Sequence, residues 1–192
     1  EIAARLSTGP MVSHLVHQDG VAVDINLGTS RLYKGDGRTA AKEQVSTYLE
    51  RPKRFFVNDP SNANIGSPVS QRILRAMLGE LRGRGIDTVD RKVDHDGAYL
   101  FVLGTGLGFH LSDLVEGTKP RHIVLIEPHE EFLRHSFATF DWETFLDRLE
   151  EEGRDVTLIC SRDPVEIMAY LNRCIRTNGI PFIDGSYAYL HY

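Results

Sequence analysis

Three glycines spaced two apart, Gly104, Gly106 and Gly108, close the apolar run YLFVLGTGLGFH at residues 99–110. Glycines at the point where a buried strand hands over to a helix have two possible uses. They bring backbone amides close to a phosphate or carboxylate, or they simply let the chain turn within a few residues. Glu127 lies 23 positions after Gly104, at the end of a second apolar stretch, HIVLIEP. An acidic side chain at that point is placed to hold a ribose by its hydroxyls. Gly104, Gly106, Gly108 and Glu127 are therefore the candidate cofactor-binding set.

Two departures weigh against an occupied turn. Methyltransferases that use S-adenosylmethionine usually carry an acid two positions before the first glycine, where this chain has Val102. Dinucleotide enzymes want a third glycine where Phe109 stands. The turn thus reads first as geometry, with no cofactor expected and S-adenosylmethionine kept as the alternative ligand. His110, His129 and His135 lie near the same crevice without a metal-ligand spacing, and are expected at helix surfaces or caps. Asp94-His95-Asp96-Gly97 reads as a turn. No Ser, Cys or Thr sits in a nucleophile elbow. The expectation is no catalytic residue and no metal site within these 192 residues.

The elements that would position this set follow from hydrophobic patterning. From Tyr99 onward, strands that are apolar throughout alternate with amphipathic helices: Tyr99–Leu103, a helix near Phe109–Glu116, HIVLIEP, a helix from about His129, another from Asp141, DVTLICS, and a last helix opening at Asp163-Pro164. In that last helix Glu166 can complete a capping box, while Met168, Leu171 and Ile175 face inward and Gly179 closes it. Such alternation marks a parallel sheet covered on both faces. The fold class is α/β, a Rossmann-like and mostly parallel sheet, preceded by a small segment containing a β-hairpin. In that segment Asp19-Gly20 signals a two-residue turn, after which Val21, Val23, Ile25 and Leu27 face inward and Ala22, Asp24 and Asn26 face water. Asp36 caps a helix carrying Ala41, Val45, Tyr48 and Leu49, and Pro52 stops it. Lys53–Asn58 is a short strand, Asp59–Gly66 a loop or seam, and Ser67-Pro68 opens a helix striped by Val69, Ile73, Met77 and Leu81. The expected division is an αβ appendage at 1–60 and a Rossmann-like domain at 61–192.

Composition bounds the rest. The net charge of −5 argues against a protein devoted to gripping nucleic acid, and no run approaches a membrane span. Cys160 and Cys174 are the only cysteines, expected as buried thiols of a reducing compartment. The first residue is Glu1, which suggests a piece of a longer protein.

Three stretches, LGTGLGFHLSDLVE, RHIVLIEPHEEFLRHSF and FDWETFL, resemble the N-terminal region of motility-associated factor (Maf) glycosyltransferases. LYKGDGRTAAKEQVSTYLERPKRFFV fits the same region, so the likeness runs from about Leu32 onward. It implies a bacterial cytoplasmic protein that glycosylates flagellin. Such enzymes are thought to move a nonulosonic acid from its CMP-activated donor onto serine or threonine. The family's transferase domain normally follows this region, with a G-P-S-L type signature that these residues lack. No catalytic residue therefore carries over onto any position. The resemblance adds a CMP-sugar to the possible occupants of the Gly104–Gly108 turn. It names flagellin and the downstream catalytic domain as partners.

Overall fold

The computed structural model describes residues 11–55, 68–86, 98–178 and 185–192. It opens with a hairpin of β1 (His14–Gln18) and β2 (Val21–Asn26), antiparallel and joined at Asp19-Gly20. Both turn residues have positive φ, 52° and 80°, as a two-residue hairpin demands. Helix α1 (Gly37–Glu50) follows, its N-terminus capped by the Asp36 carboxylate. Then come β3 (Arg54–Phe55), α2 (Pro68–Gly83), β4 (Tyr99–Leu103), α3 (Leu111–Thr118), β5 (His122–Glu127), α4 (Glu130–Thr139), α5 (Trp142–Glu151), β6 (Asp155–Cys160), α6 (Pro164–Asn178) and β7 (Ser186–Leu190).

The main sheet has the order β3-β7-β4-β5-β6, with β3 antiparallel to β7 and every other pairing parallel. This is the expected α/β class: a mostly parallel sheet clad with helices, plus an antiparallel hairpin. On one face Leu100, Val102, Ile123, Leu125, Tyr187 and Tyr189 pack against apolar side chains of α1, α3, α4 and α5. On the other, Tyr99, Phe101, Val124, Ile126 and Ile159 meet Ile167, Leu171, Cys174 and Ile175 of α6. Alternate residues of one strand serve opposite cores because side chains alternate across a sheet. Val45 of α1 belongs to the same cluster as the sheet, and β3 is joined to the sheet through β7.

One strand was missed and four local expectations are corrected, the first being Val21, which is half exposed beside the hairpin turn instead of facing inward. Strand β7 was not anticipated; the polar and glycine residues before it hid an edge-to-centre strand whose SYAYL sequence puts Tyr187 and Tyr189 inward. Asp24 is fully buried, because its carboxylate accepts the amides of Ile25, Tyr33 and Gly35 and so pins the loop behind the hairpin. Met168 is exposed, and Ile167 takes its place against the sheet. Cys160 is exposed at the end of β6, which is an edge strand of the sheet among the described residues. Asp59–Gly66, Asp94–Gly97 and Gly179 lie outside the described residues. Among the described residues no helix is long and apolar enough to cross a membrane.

Candidate functional site

Strand β4 has β5 on one side and β7 on the other, so the chain leaves it in opposite directions. That is a topological switch point, and in open α/β sheets ligands sit in the crevice beyond the carboxyl ends of the strands there. Leu103 pairs with Leu190, which brings Gly104–Gly108 and His191–Tyr192 to the same end of the sheet. Gly104 has φ +95° and Gly106 φ +49°, conformations that L side chains rarely adopt. The Gly104 amide donates to the Ile126 carbonyl at 2.8 Å, locking the start of the turn to β5.

The predicted acid arrives where expected. Glu127 ends β5, is fully buried, and accepts the Thr105 amide at 2.8 Å and the Thr105 hydroxyl at 2.9 Å on one oxygen. Its other oxygen accepts the His129 amide at 2.7 Å. The Tyr192 hydroxyl donates to the same carboxylate, 2.6 and 2.5 Å from its two oxygens. Four donors thus meet the roughly four lone-pair sites a carboxylate possesses.

The glycine backbone is equally taken. The Tyr192 ring lies where a Cβ on Gly104 would stand, 2.6 Å from it. Next to Gly106 the space belongs to Tyr33 and His191, whose side chains bond to each other at 2.8 Å. The Tyr33 hydroxyl also accepts the Leu107 amide at 3.0 Å, while the Gly108 amide donates to Thr105. Gly108 packs on Phe140. The turn is therefore filled by side chains of its own protein, and its amides at 104, 105, 107 and 108 donate internally.

Behind the turn stands a buried ring stack. His110 is fully buried and its ring lies 3.8 Å from that of His191 and 5.3 Å from that of Tyr189, which are 6.1 Å from each other. Burial holds His191 down to about 4, and burial followed by His191 holds His110 well below the usual imidazole range. Burial raises the Tyr33 and Tyr192 phenols, the latter further through the Glu127 carboxylate, so both remain hydroxyl donors. His110 is thus neither a surface nor a capping side chain; its helix begins without a side-chain cap bond.

His135 of α4 is buried too. Its Nε2 lies 3.0 Å from the Ser13 hydroxyl, which itself donates to Glu131 at 2.5 Å. The Val12 and Ser13 amides add two more bonds to Glu131, and the Ser13 hydroxyl, followed by the Val12 amide, leads in holding that carboxyl at about 2. A nucleophilic triad needs the imidazole between hydroxyl and acid. Here the serine is in the middle, so the trio fastens the hairpin to α4. His129 begins α4 and its Nδ1 is 3.1 Å from Arg162. Among the described residues no three His, Cys, Asp or Glu side chains converge as a metal site requires.

Between the hairpin, the start of α4 and Arg162 opens a cleft of about 430 Å³, with Leu27, Leu32 and Phe132 as apolar wall and Tyr192 as the partition from the glycine turn. Tyr192, His191, Tyr33 and Thr105 carry the site yet stand out in no motif. Tyr192 and His191 become visible only when SYAYL is read as a strand, which delivers them beside Gly104. Tyr33 gives no comparable signal.

Fold and site together define a Rossmann-like, mostly parallel sheet in which the crevice beyond the ends of β4 and β5 is occupied by the protein's own aromatic and imidazole groups. The chain belongs to the glycosyltransferase Maf N-terminal domain family, whose model matches residues 1–192. Among solved structures it is similar to the Maf glycosyltransferase from Magnetospirillum magneticum AMB-1, at 25% identity and a TM-score of 0.69 over 100% of this chain. The chain spans 30% of the length of that relative. A candidate RNA methyltransferase from Pyrococcus horikoshii matches at 14% identity and a TM-score of 0.24, over 63% of this chain and 49% of its own, too slight a likeness to bear on function. Nothing among curated protein sequences matches.

Proposed function

We propose that this chain is the N-terminal, non-catalytic module of a bacterial cytoplasmic Maf-type glycosyltransferase. The parent enzyme transfers a nonulosonic acid from a CMP-activated donor to serine or threonine of flagellin, with the reacting groups supplied by the rest of the protein. One observation supports this above the others: the place where a Rossmann sheet would hold a reacting cofactor is filled by Tyr192, Tyr33 and His191. Family membership and the 30% share of the solved relative agree with a module of something larger.

The module's contribution is to position the transferase or its acceptor protein. The apolar stripe of α2 favours that role, since Val69, Ile73 and Met77 are each more than half exposed. The test is sugar transfer to flagellin, assayed with residues 1–192 alone and with the sequence that follows them restored. Transfer is expected only in the second case, and turnover by residues 1–192 alone overturns the reading.

A further inference from the structure

We infer that the crevice is a ribonucleoside phosphate site in its closed state, and that Tyr192 is the tethered group that occupies the ribose position.

Three features converge on that ligand class. The first is what Tyr192 does. Its hydroxyl donates to both oxygens of Glu127 and its ring covers Gly104, the two contacts a ribose makes on a glycine turn with an acid at the second strand tip. The second is saturation. Thr105 and His129 hold Glu127 through donors of the turn and of the strand end, so of its four donors only the Tyr192 hydroxyl comes from a side chain outside the β4 and β5 ends. Tyr192 is 40% exposed, while His191 beside it is buried and its amide is bonded to the Leu103 carbonyl, so the ring alone turns outwards about its own side-chain bonds and the backbone stays on the sheet. The third is room. Because Tyr192 walls off the cleft of about 430 Å³, its departure joins that space to Gly104 and Glu127.

The joined space suits the remaining parts of a nucleotide. Phe132, Leu27 and Leu32 offer an apolar wall for a base. On the opposite rim, the Arg162 guanidinium donates to the Pro128 carbonyl and lies beside His129. A guanidinium carries five N–H donors, which leaves capacity for a phosphate. No bond is made or broken in this scheme: Glu127 exchanges a phenol donor for a diol.

A tethered competitor lowers apparent affinity by the fraction of time the site is open. The experiment titrates CMP and AMP into the full chain, with Tyr192 native or changed to Phe or Ala. Calorimetry and the amide resonances of Gly104 and Gly106 are the readouts. Tyr192→Ala is expected to bind both nucleotides at least about tenfold tighter than the native chain, and Tyr192→Phe to gain less because its ring still fills the place. The gain is expected to vanish with 2′-deoxy-CMP, and with Glu127→Gln added to Tyr192→Ala. If Tyr192→Ala fails to melt cooperatively, Tyr192→Phe alone decides, through its gain for CMP over 2′-deoxy-CMP. A folded variant whose glycine amides ignore millimolar CMP and AMP overturns the inference, as does equal affinity for the ribo and deoxy forms. Neither result bears on the transfer assay above, which asks where chemistry occurs and not what this crevice holds.

Discussion

A methyl group on Gly104 would meet the Tyr192 ring at 2.6 Å while holding an L residue at φ +95°. Left-handed backbone costs an alanine about 1–2 kcal/mol, and overpacking adds a similar amount. Gly104→Ala is therefore expected to destabilise the chain by roughly 2–4 kcal/mol, lowering Tm by roughly 5–15 °C. Adding Tyr192→Ala should recover the overpacking part, so the double variant melts higher than additivity predicts. His191 gives the second residue-scale expectation. Its folded value of about 4 lies below the ordinary 6.5, so the unfolded chain binds the proton more readily. Stability is full above pH 6.5 and falls as the pH drops towards 4, by on the order of 3 kcal/mol from this group. Urea midpoints at pH 7 and 4.5 measure the slope, and His191→Phe is expected to flatten it. An unchanged slope would assign the acid sensitivity to other groups.

At the scale of elements, the loop from β2 to α1 hangs on one carboxylate. Asp24 accepts three backbone amides from inside the protein, and Asp24→Ala leaves all three without that acceptor. The expected loss is roughly 3–5 kcal/mol, read as a drop in Tm, with Tyr33 released from the glycine turn as a consequence. Helix α2 should behave oppositely. Ile73 is 57% exposed, so Ile73→Glu is expected to change stability by no more than about 0.5 kcal/mol while weakening any partner seated on that stripe. A large stability loss would place Ile73 in a core. The elements themselves were mostly legible in the sequence. Uniform apolar runs at Tyr99–Leu103 and His122–Glu127 named the buried parallel strands, and Asp19-Gly20 named the hairpin. Asp24 was misread because alternation alone puts a charged residue outside, whereas three amides of a later loop stabilise it inside. The Met168 and Ile167 exchange shows the same limit: helical spacing gives a stripe, and the neighbouring sheet decides its centre.

For the whole molecule, the sequence yielded the half of the crevice formed by β4 and β5. Gly104 and Glu127 meet there as their spacing required. The other half depended on β7, which returns to pair with β4 across a long separation in the chain. Nothing local to SYAYLHY announces that partner, so the occupants of the site stayed hidden although its glycines did not. The same strand order carries a consequence for how the protein is made. Translation delivers β4, β5 and β6 well before residues 186–190, so β4 waits on the ribosome with one ladder of amides and carbonyls bare. Its Tyr99, Leu100, Phe101 and Val102 are among the most buried side chains of the finished protein. A nascent chain stalled before β7 thus presents a sticky apolar border, open to chaperones or to another copy of itself. Arresting synthesis at residue 180 is expected to give protease-sensitive, aggregating chains, and release beyond residue 192 to give resistant ones.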